Sequence, residues 1–373
     1  MAEENSGKSS KAGNIPKKSE KRPRNGQRTS EKKSLEKKPL EKKSFEKTTS
    51  RRERPQRNRP SRSRSAQGKS YRKSHRPRRR VTVLVNSSAD RFDSSAVSRF
   101  AQELTAAGFQ VKTAFPETSG EMASQAAEAV RERPLALVAV GGDGAVNLVA
   151  RALIGSDVRL ALLPQGKCNN FFRSLIGKPS LDAALEAFKS GATRTIDCGA
   201  VSGQPFFTSV GLGLAPALAE ALSGRSLPRF GIGWSRLASK VAATIKPQNT
   251  PVRIDAYRFD LEPSLIMASI LPFCLGLNMS PTAIPDDGRL EVTLDMSDDT
   301  EPLSRFIRNK FKQNHYLDDS FRLYRGEQVI IGSAKGRMLY LDGELISTPT
   351  NNLEISVQPE RICVCVSKNA QDK

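Results

Sequence analysis

Histidine is almost absent from this chain of 373 residues, which has only His75 and His315. Imidazole is the side chain most often used for acid–base catalysis near neutral pH, so most histidine-dependent mechanisms are excluded. A Ser-His-Asp hydrolase is also disfavoured, because no Gly-x-Ser-x-Gly segment is present. Any acid–base chemistry is therefore expected to fall to carboxylates.

Cysteine is scarce as well, and its spacing excludes two common roles. The five cysteines are odd in number and include no Cys-x-x-Cys pair, which argues against a disulfide scaffold and a zinc site. Cys363 and Cys365 alternate within an apolar run, where we expect them to be small core side chains.

Long hydrophobic runs are missing too. A membrane-spanning helix needs about 18 or more apolar residues, and no such run exists. The polar first residues also lack the apolar stretch of a secretory signal. We therefore expect a cytoplasmic protein, either free or peripheral to the inner face of the membrane.

Positive charge is concentrated at one end of the chain. Residues 1–80 contain 29 Lys and Arg against 8 Glu, and this excess equals the net charge of +21 for the whole chain. With so few apolar side chains, this segment is predicted to be a disordered polybasic tail. Its partner could be an anionic membrane or nucleic acid, and a solubilising extension without a partner is an equal alternative.

The remaining residues divide into two patterns. Strands at 81–85, 110–114, 135–140 and 159–163 alternate with amphipathic helices, which predicts an α/β domain over residues 81–194. The spacing of Val97, Phe100, Leu104 and Ala107 indicates one helical face, and the fully apolar strand at 135–140 suits the middle of a parallel sheet. Residues 195–373 show short strands separated by turns, with one helix near residues 302–314, and predict an antiparallel β-sandwich-like domain. The strands expected there include residues 206–210, 252–259 and 265–277. We expect the site in the cleft between the two domains.

Two glycine-bearing loops follow neighbouring predicted strands. Gly141-Gly142-Asp143-Gly144 lies between a buried strand and a helix, where backbone N–H groups can receive phosphate. A tight turn with Asp143 as the helix cap is the simpler alternative. Pro164-Gln165-Gly166 ends the next strand in the same way, which favours a functional role for both loops.

These loops resemble the diacylglycerol kinase catalytic domain, whose superfamily includes sphingosine kinases and, more distantly, NAD kinases. Residues 141–144 resemble the family's Gly-Gly-Asp-Gly-Thr loop, and residues 164–171 resemble its Pro-x-Gly-Thr-x-Asn-Asp-Phe loop. Asn86 matches the Asn that opens the family's first loop. Further matches follow in the family's order at residues 196–199, 207–211, 285–290 and 341–344.

The resemblance implies a NAD kinase/diacylglycerol kinase-like fold that uses ATP and Mg²⁺ to phosphorylate the hydroxyl of diacylglycerol or a related lipid. Asp342 would be the general base, and Asp143 and Asp287 would be metal ligands. A homodimer is one of the oligomeric states left open. The residues implied in nucleotide binding are Asn86, Gly141, Gly142, Asp143, Gly144, Gly166, Lys167, Asn169 and Glu344.

Two of the implied site segments have simpler explanations. Asp342-Gly343 lies between apolar strands and is typical of a type I′ hairpin turn. Asp286-Asp287-Gly288 reads equally well as a turn between strands.

Several residues depart from the family pattern. Ala145 replaces a Thr and Leu148 a Glu, while Lys167 and Asn170 replace a Thr and an Asp in the second loop. Lys167 could hold a phosphate as a point charge in compensation. The losses also suit a second hypothesis, a catalytically degenerate protein that senses a nucleotide or lipid, or acts as a scaffold tethered to a polyanion.

Overall fold

The first lobe is a parallel sheet with alternating helices. The computed structural model describes residues 79–225, 231–295, 305 and 320–368. The elements of this lobe are β1 (Arg80–Val85), α1 (Ser94–Ala106), β2 (Gln110–Ala114), α2 (Ser119–Arg131), β3 (Ala136–Gly141), α3 (Asp143–Leu153), β4 (Arg159–Pro164), α4 (Asn170–Leu175) and α5 (Leu181–Lys189).

Strand order in this lobe is β2-β1-β3-β4, with all neighbours parallel. All six residues of β3 are buried, as expected for a central strand covered on both faces. The helix α1 presents Val97, Phe100 and Leu104 to the core, and Asp93 caps its first turn by accepting from the backbone of Ser95 and Ala96. The carboxyl ends of β1, β3 and β4 therefore open onto one edge of the sheet.

The second lobe is an antiparallel β-sandwich that also carries helices. Its elements are β5 (Thr193–Val201), β6 (Gln204–Phe206), β7 (Ser209–Gly213), α6 (Leu214–Leu222), α7 (Gly231–Ala242), β8 (Thr250–Ile254), β9 (Tyr257–Leu261), β10 (Leu265–Ser269), β11 (Phe273–Cys274), β12 (Leu277–Asn278), β13 (Leu290–Asp295), β14 (Phe321–Gly326), β15 (Gln328–Ile331), β16 (Met338–Leu341), β17 (Glu344–Ser347) and β18 (Leu353–Cys365).

One strand joins the two lobes. A six-stranded sheet has the order β14-β13-β10-β7-β16-β17, whereas β5, β6, β8, β9, β15 and β18 extend the sheet of the first lobe. The amino-terminal half of β18 pairs with β15, and its carboxyl-terminal half reaches β4 at Val364 opposite Leu160. Along most of its length, β18 also pairs with β5. The combined α/β and β-sandwich architecture predicted from the sequence is confirmed.

Three strands expected to be continuous are broken. The expected strand over residues 265–277 is divided into β10, β11 and β12. The expectation of one strand over residues 206–210 is wrong, because β6 ends at Phe206 and β7 begins at Ser209. The N–H groups of Phe207 and Thr208 bond to the side chain of Asp342 instead of a neighbouring strand. A single strand over residues 252–259 is also wrong, since Asp255 takes a φ of 50° and turns the chain into the β8–β9 hairpin.

The predicted tail lies outside the described residues except at its last two positions, and so does the helix expected near residues 302–314, apart from Arg305. In the part of the chain that the structure describes, no helix has both the length and the apolar character needed to cross a bilayer.

Candidate active site

A cavity of about 550 Å³ lies where the first lobe meets the second. Small-molecule sites typically measure roughly 300–1,000 Å³. One wall is built from the ends of β1, β3 and β4 and the start of α3, and the opposite wall from α6 and the β16–β17 hairpin. Among the residues predicted for the site, those lining the cavity are Asn86, Gly142, Asp143, Gly144, Gly166, Lys167, Asp342 and Glu344.

The two glycine loops touch backbone to backbone. A Cβ atom added to Gly166 would lie 2.2 Å from the Cα of Gly142, and one added to Gly142 would lie 3.1 Å from the Cα of Gly166. The loops are also joined by the N–H of Gln165, which donates to the Gly141 carbonyl at 2.9 Å. Glycine is thus required at this crossing because no side chain fits between the loops.

Replacing Gly166 by Ala is expected to lower the free energy of unfolding by about 1–3 kcal/mol, the usual range for overpacking. The added methyl group would push against the Cα of Gly142, which belongs to backbone and cannot rotate away. Thermal or urea unfolding measures the change. Gly332→Ala is the control, since its added Cβ would meet Pro251 at an ordinary 3.4 Å. Equal stability of the two variants would contradict the close crossing.

Asp143 connects the first loop to the second. It begins α3, and its Oδ1 accepts from the backbone N–H of Phe171 at 3.0 Å. Burial raises the pKa of the Asp143 carboxyl, the amides of Phe171 and Asn170 oppose the rise, and the negative charge of Asp342 adds to it. With a second negative charge near Asp143, a cation at this position would be stabilising.

Asn169, which the resemblance implied in nucleotide binding, does not line the cavity. Its Oδ1 accepts from the Gly166 N–H at 2.9 Å and its Nδ2 donates to the Gly166 carbonyl at 2.8 Å. The residue is buried with a φ of 50°, a conformation that Asn tolerates better than most residues. Asn169 therefore holds the second loop in a tight turn by bonding both backbone groups of Gly166. It shapes the cavity without lining it.

Lys167 crosses the cavity to the opposite wall. Its Nζ donates to the carbonyl of Leu222 at 2.7 Å, at the carboxyl end of α6. This end of a helix carries partial negative charge, which favours a cation there. The ammonium group is thus held at the wall of the cavity formed by the end of α6.

Asp342 occupies the turn of the β16–β17 hairpin. Asp342 and Gly343 have φ of 51° and 106°, as a type I′ turn requires, so the predicted hairpin is present. The Asp342 Oδ1 accepts from Thr208 N at 2.7 Å, Thr208 Oγ1 at 2.5 Å and Ser209 N at 3.0 Å, and its Oδ2 accepts from Phe207 N at 2.7 Å. Asp342 and Gly343 therefore form both the hairpin turn and part of the cavity wall.

The surroundings of Asp342 shift the pKa of its carboxyl in two opposing directions. Burial raises the pKa of its carboxyl, and the donors from Thr208, Phe207 and Ser209 act to lower it. Within the described residues, Oδ2 accepts one hydrogen bond, which leaves a lone pair for another donor. A carboxylate held this way can accept a proton from a substrate hydroxyl without moving.

The remaining predicted residues lie at the edges of the cavity or outside it. Asn86 follows β1, and its Oδ1 accepts from Ser88 N at 3.0 Å. Glu344 is exposed at the rim. Gly141 lies behind the cavity, where an added Cβ would meet Ala145 at 2.9 Å and Asn86 at 3.2 Å.

Asp287 does not line the cavity. Its carboxylate forms an ion pair with Arg325 and accepts from the N–H of Arg289. The neighbouring Asp286 pairs with Arg194 at 2.7 Å. Both acids therefore fix the loop before β13, and a metal at Asp287 would have to displace Arg325.

A divalent metal in the cavity would depend on oxygen atoms from its ligand. No group of three or more His, Cys, Asp or Glu within the described ranges could hold a metal alone. Mg²⁺ is commonly bound through one or two carboxylates together with substrate phosphates. Asp143, with the charge of Asp342 nearby, fits that pattern.

Sequence reasoning missed two residues that position Asp342. The Thr208 hydroxyl donates to its carboxylate at 2.5 Å, and Asn147 Nδ2 donates to its backbone carbonyl at 3.4 Å. Thr208 lies within segment 207–211, which matches the family. That match does not reveal that Thr208 positions Asp342. Asn147 lies on α3 and is separated from Asp342 by 195 positions, and nothing in the sequence connects the two.

The two lobes have the fold of the diacylglycerol kinase-like proteins. Residues 80–201 match the diacylglycerol kinase catalytic domain, and residues 208–366 match the YegS C-terminal NAD kinase beta sandwich-like domain. The chain therefore belongs to the diacylglycerol kinase family, as its sequence predicted.

Known relatives agree with this assignment. The diacylglycerol kinase of Bacillus subtilis (strain 168) is 22% identical over 272 residues, which cover 71% of this chain and 90% of that protein. The crystal structure of a diacylglycerol kinase from Bacillus anthracis strain Sterne superimposes with a TM-score of 0.62 at 18% identity, covering 78% of this chain and 98% of that one. At this identity the structural likeness establishes the fold.

Proposed function

We propose that this protein is a lipid kinase that uses ATP and Mg²⁺ to phosphorylate the hydroxyl of diacylglycerol or a related lipid. The observation that carries the proposal is the cavity in which a glycine-rich helix start faces a buried carboxylate. Phosphoryl transfer needs a cradle for the phosphates on one side and an acceptor for the hydroxyl proton on the other.

The phosphate side is the start of α3. Gly142 and Gly144 line the cavity there, and no atom lies within 4 Å of a Cβ added to Gly144. The first N–H groups of a helix have no partner within the helix and attract anions. The Lys167 ammonium adds a positive charge from the second loop.

Magnesium would be held by Asp143 together with phosphate oxygens. When bound, it would neutralise charge that builds up on the transferred phosphoryl group. The chain itself contributes the position of the Asp143 carboxylate, which the N–H of Phe171 keeps in place.

Asp342 would accept the proton of the lipid hydroxyl through Oδ2. The opposite oxygen is held by Thr208 and Ser209, so the carboxylate cannot rotate away from the cavity. A base fixed within reach of the nucleophile contributes through both orientation and proton transfer.

Transfer of label from [γ-³²P]ATP into extracted lipid tests the function. We expect label in lipid when the full chain is incubated with Mg²⁺ and vesicles containing diacylglycerol, and none after the metal is removed with EDTA. Because the described residues hold no complete metal site, the chelator should act without unfolding the protein. ATP binding with no transfer to any of several lipids would contradict the proposal.

The second candidate is a sensor that binds a nucleotide or lipid without turnover. Ala145 lines the cavity without a hydroxyl, and Leu148 packs against the core where the family has a carboxylate. Binding without transfer in the same assay would favour this candidate.

A further inference from the structure

The walls of the cavity differ in chemistry. The first lobe contributes the glycine loops and several polar side chains, whereas the second lobe adds an apolar wall formed by Ala219, Leu222, Leu275 and Tyr340. These four side chains belong to, or pack against, one core cluster of the second lobe. Tyr340 is the member of this wall that carries a hydroxyl group. Apolar walls with few polar groups are typical of a subsite that binds an apolar ligand and orients it through those groups.

The turn of the β11–β12 hairpin brings Leu275 to this wall. Leu275 and Gly276 have φ of 53° and 78°, the signs that a type I′ turn requires. The N–H of Gly276 donates to Asn170 Oδ1 at 2.8 Å, and Asn170 belongs to the second glycine loop. The apolar wall is therefore fixed in position relative to the loops that would bind the nucleotide.

The hydroxyl group of Tyr340 is buried and lacks a hydrogen bond. The side chain is fully buried, and no described residue satisfies its oxygen. The thiol of Cys274 lies beside it, but a thiol is only a weak hydrogen-bonding group. A buried polar group without a partner lowers stability. A ligand that supplied the missing partner would therefore gain affinity from Tyr340.

The Tyr340 hydroxyl is a donor near the reaction centre. A phenol is protonated at neutral pH. Burial raises the pKa of Tyr340 further, and the neighbouring Cys274 and the charges of Asp143 and Asp342 add to the rise. Because both carboxylates act on the hydroxyl, it lies close to the place where the acceptor hydroxyl would react. The missing partner is thus an acceptor atom near that place.

The proposed acceptor lipid carries such an atom. In a diacylglycerol, an ester is attached to the carbon next to the one that bears the free hydroxyl, and its carbonyl oxygen accepts hydrogen bonds. Phosphate oxygens are also acceptors, but they are attracted by the helix start and the cation on the other side of the cavity. A neutral donor within an apolar wall suits the ester.

We propose that Tyr340 selects the acceptor lipid by donating a hydrogen bond to the ester carbonyl beside its free hydroxyl. The inference rests on the proposed function and narrows its substrate class to lipids with an ester at this position. A lipid whose chains are joined by ether bonds has no carbonyl and leaves the Tyr340 hydroxyl unpaired, which a site built for a hydrogen bond penalises. Tyr340 is thus a specificity-determining residue.

Binding of two matched ligands tests the inference without catalysis. Dihexanoylglycerol has two ester bonds, and dihexylglycerol is its diether counterpart; each is titrated calorimetrically into the full chain without ATP. A hydrogen bond contributes about fivefold in affinity, so the unaltered chain should prefer the diester about fivefold. Tyr340→Phe should weaken binding of the diester about fivefold, change binding of the diether at most about twofold, and so abolish the preference.

Two controls separate recognition from packing. Tyr257→Phe removes a hydroxyl from a side chain that is 70% exposed and should keep the preference for the diester. Tyr340→Phe should unfold at the same temperature as the unaltered chain or above it, because phenylalanine fills the same space without an unpaired hydroxyl.

Three results would overturn the inference. They are equal affinity of the unaltered chain for the two ligands, binding of neither, and an equal loss for both in Tyr340→Phe. Weaker binding of ATP by Tyr340→Phe would also overturn it, since the hydroxyl would then serve the phosphates. These titrations need no turnover, so an absent kinase activity would refute the proposed function and leave the ester preference intact.

Discussion

Replacing Asp342 by Asn is expected to slow phosphate transfer to lipid about 10²- to 10⁴-fold, the usual contribution of a positioned general base. The substitution keeps the size of the side chain and removes its capacity to take a proton. The initial rate of label transfer measures the loss. Binding of ATP should change little, because the phosphate side of the cavity is built from α3 and the second loop.

Stability must be separated from catalysis in this variant. An Asn amide group would direct a donor at the N–H groups that now bond to the carboxylate, and an unmet buried group costs about 1–3 kcal/mol. A loss of stability of that size is therefore expected beside the loss of rate. Thr208→Val is the matched control, since it removes one donor from the same network and keeps the base; we expect it to lose at most about tenfold in rate.

The pH profile gives a second measure of the same role. A general base acts only when it is deprotonated, and burial raises the pKa of Asp342 above its usual value. The rate should therefore decline as pH falls through a pKa above the ordinary value of about 3.9. The residual rate of the Asp342→Asn variant should not decline in this way at low pH. The same decline in both proteins would exclude Asp342 as the base.

Replacing Gly144 by Ala is expected to weaken ATP binding about a hundredfold while leaving the fold intact. The new methyl group would enter open space in the cavity, where the phosphates are proposed to approach the start of α3. A displacement of about 1 Å at such a site can cost that much. Stability should hold or rise by about 0.5–1 kcal/mol, because Ala is favoured over Gly in a helix. Calorimetric titration with ATP measures the effect.

Gly120→Ala provides the control for this prediction. Gly120 is the second residue of α2, as Gly144 is of α3, and an added Cβ would meet Thr118 no closer than 3.9 Å. The same helical gain is therefore expected with no change in ATP binding. If both variants bind ATP like the unaltered protein, the phosphates do not lie at the start of α3.

The α/β lobe could be predicted closely because its signals are local. The expected strand at residues 110–114 coincides with β2, and the spacing of Val97, Phe100 and Leu104 identified the buried face of α1. Apolar runs without polar interruption identified β3 as a central strand. In such a lobe, each element is specified by residues within it.

The second lobe was harder to predict because distant residues set its breaks. The interruption at Phe207 and Thr208 depends on Asp342, which lies 134 positions from Thr208. The roles of Asn169 and Lys167 likewise follow from contacts: one side chain closes its own loop, and the other reaches Leu222, 55 positions away. The family resemblance implied that these positions belong to the site but not what each contacts.

The strand shared by the two lobes has a consequence for how the chain folds. The edge of β4 becomes covered only when the carboxyl-terminal half of β18 arrives, and Leu160 pairs with Val364 across nearly the whole second lobe. Pairings at such long sequence separation close slowly. During synthesis the first lobe must therefore wait, with an exposed parallel edge, until β18 has left the ribosome. An exposed edge invites pairing with other chains, so chaperones have most to protect in this interval.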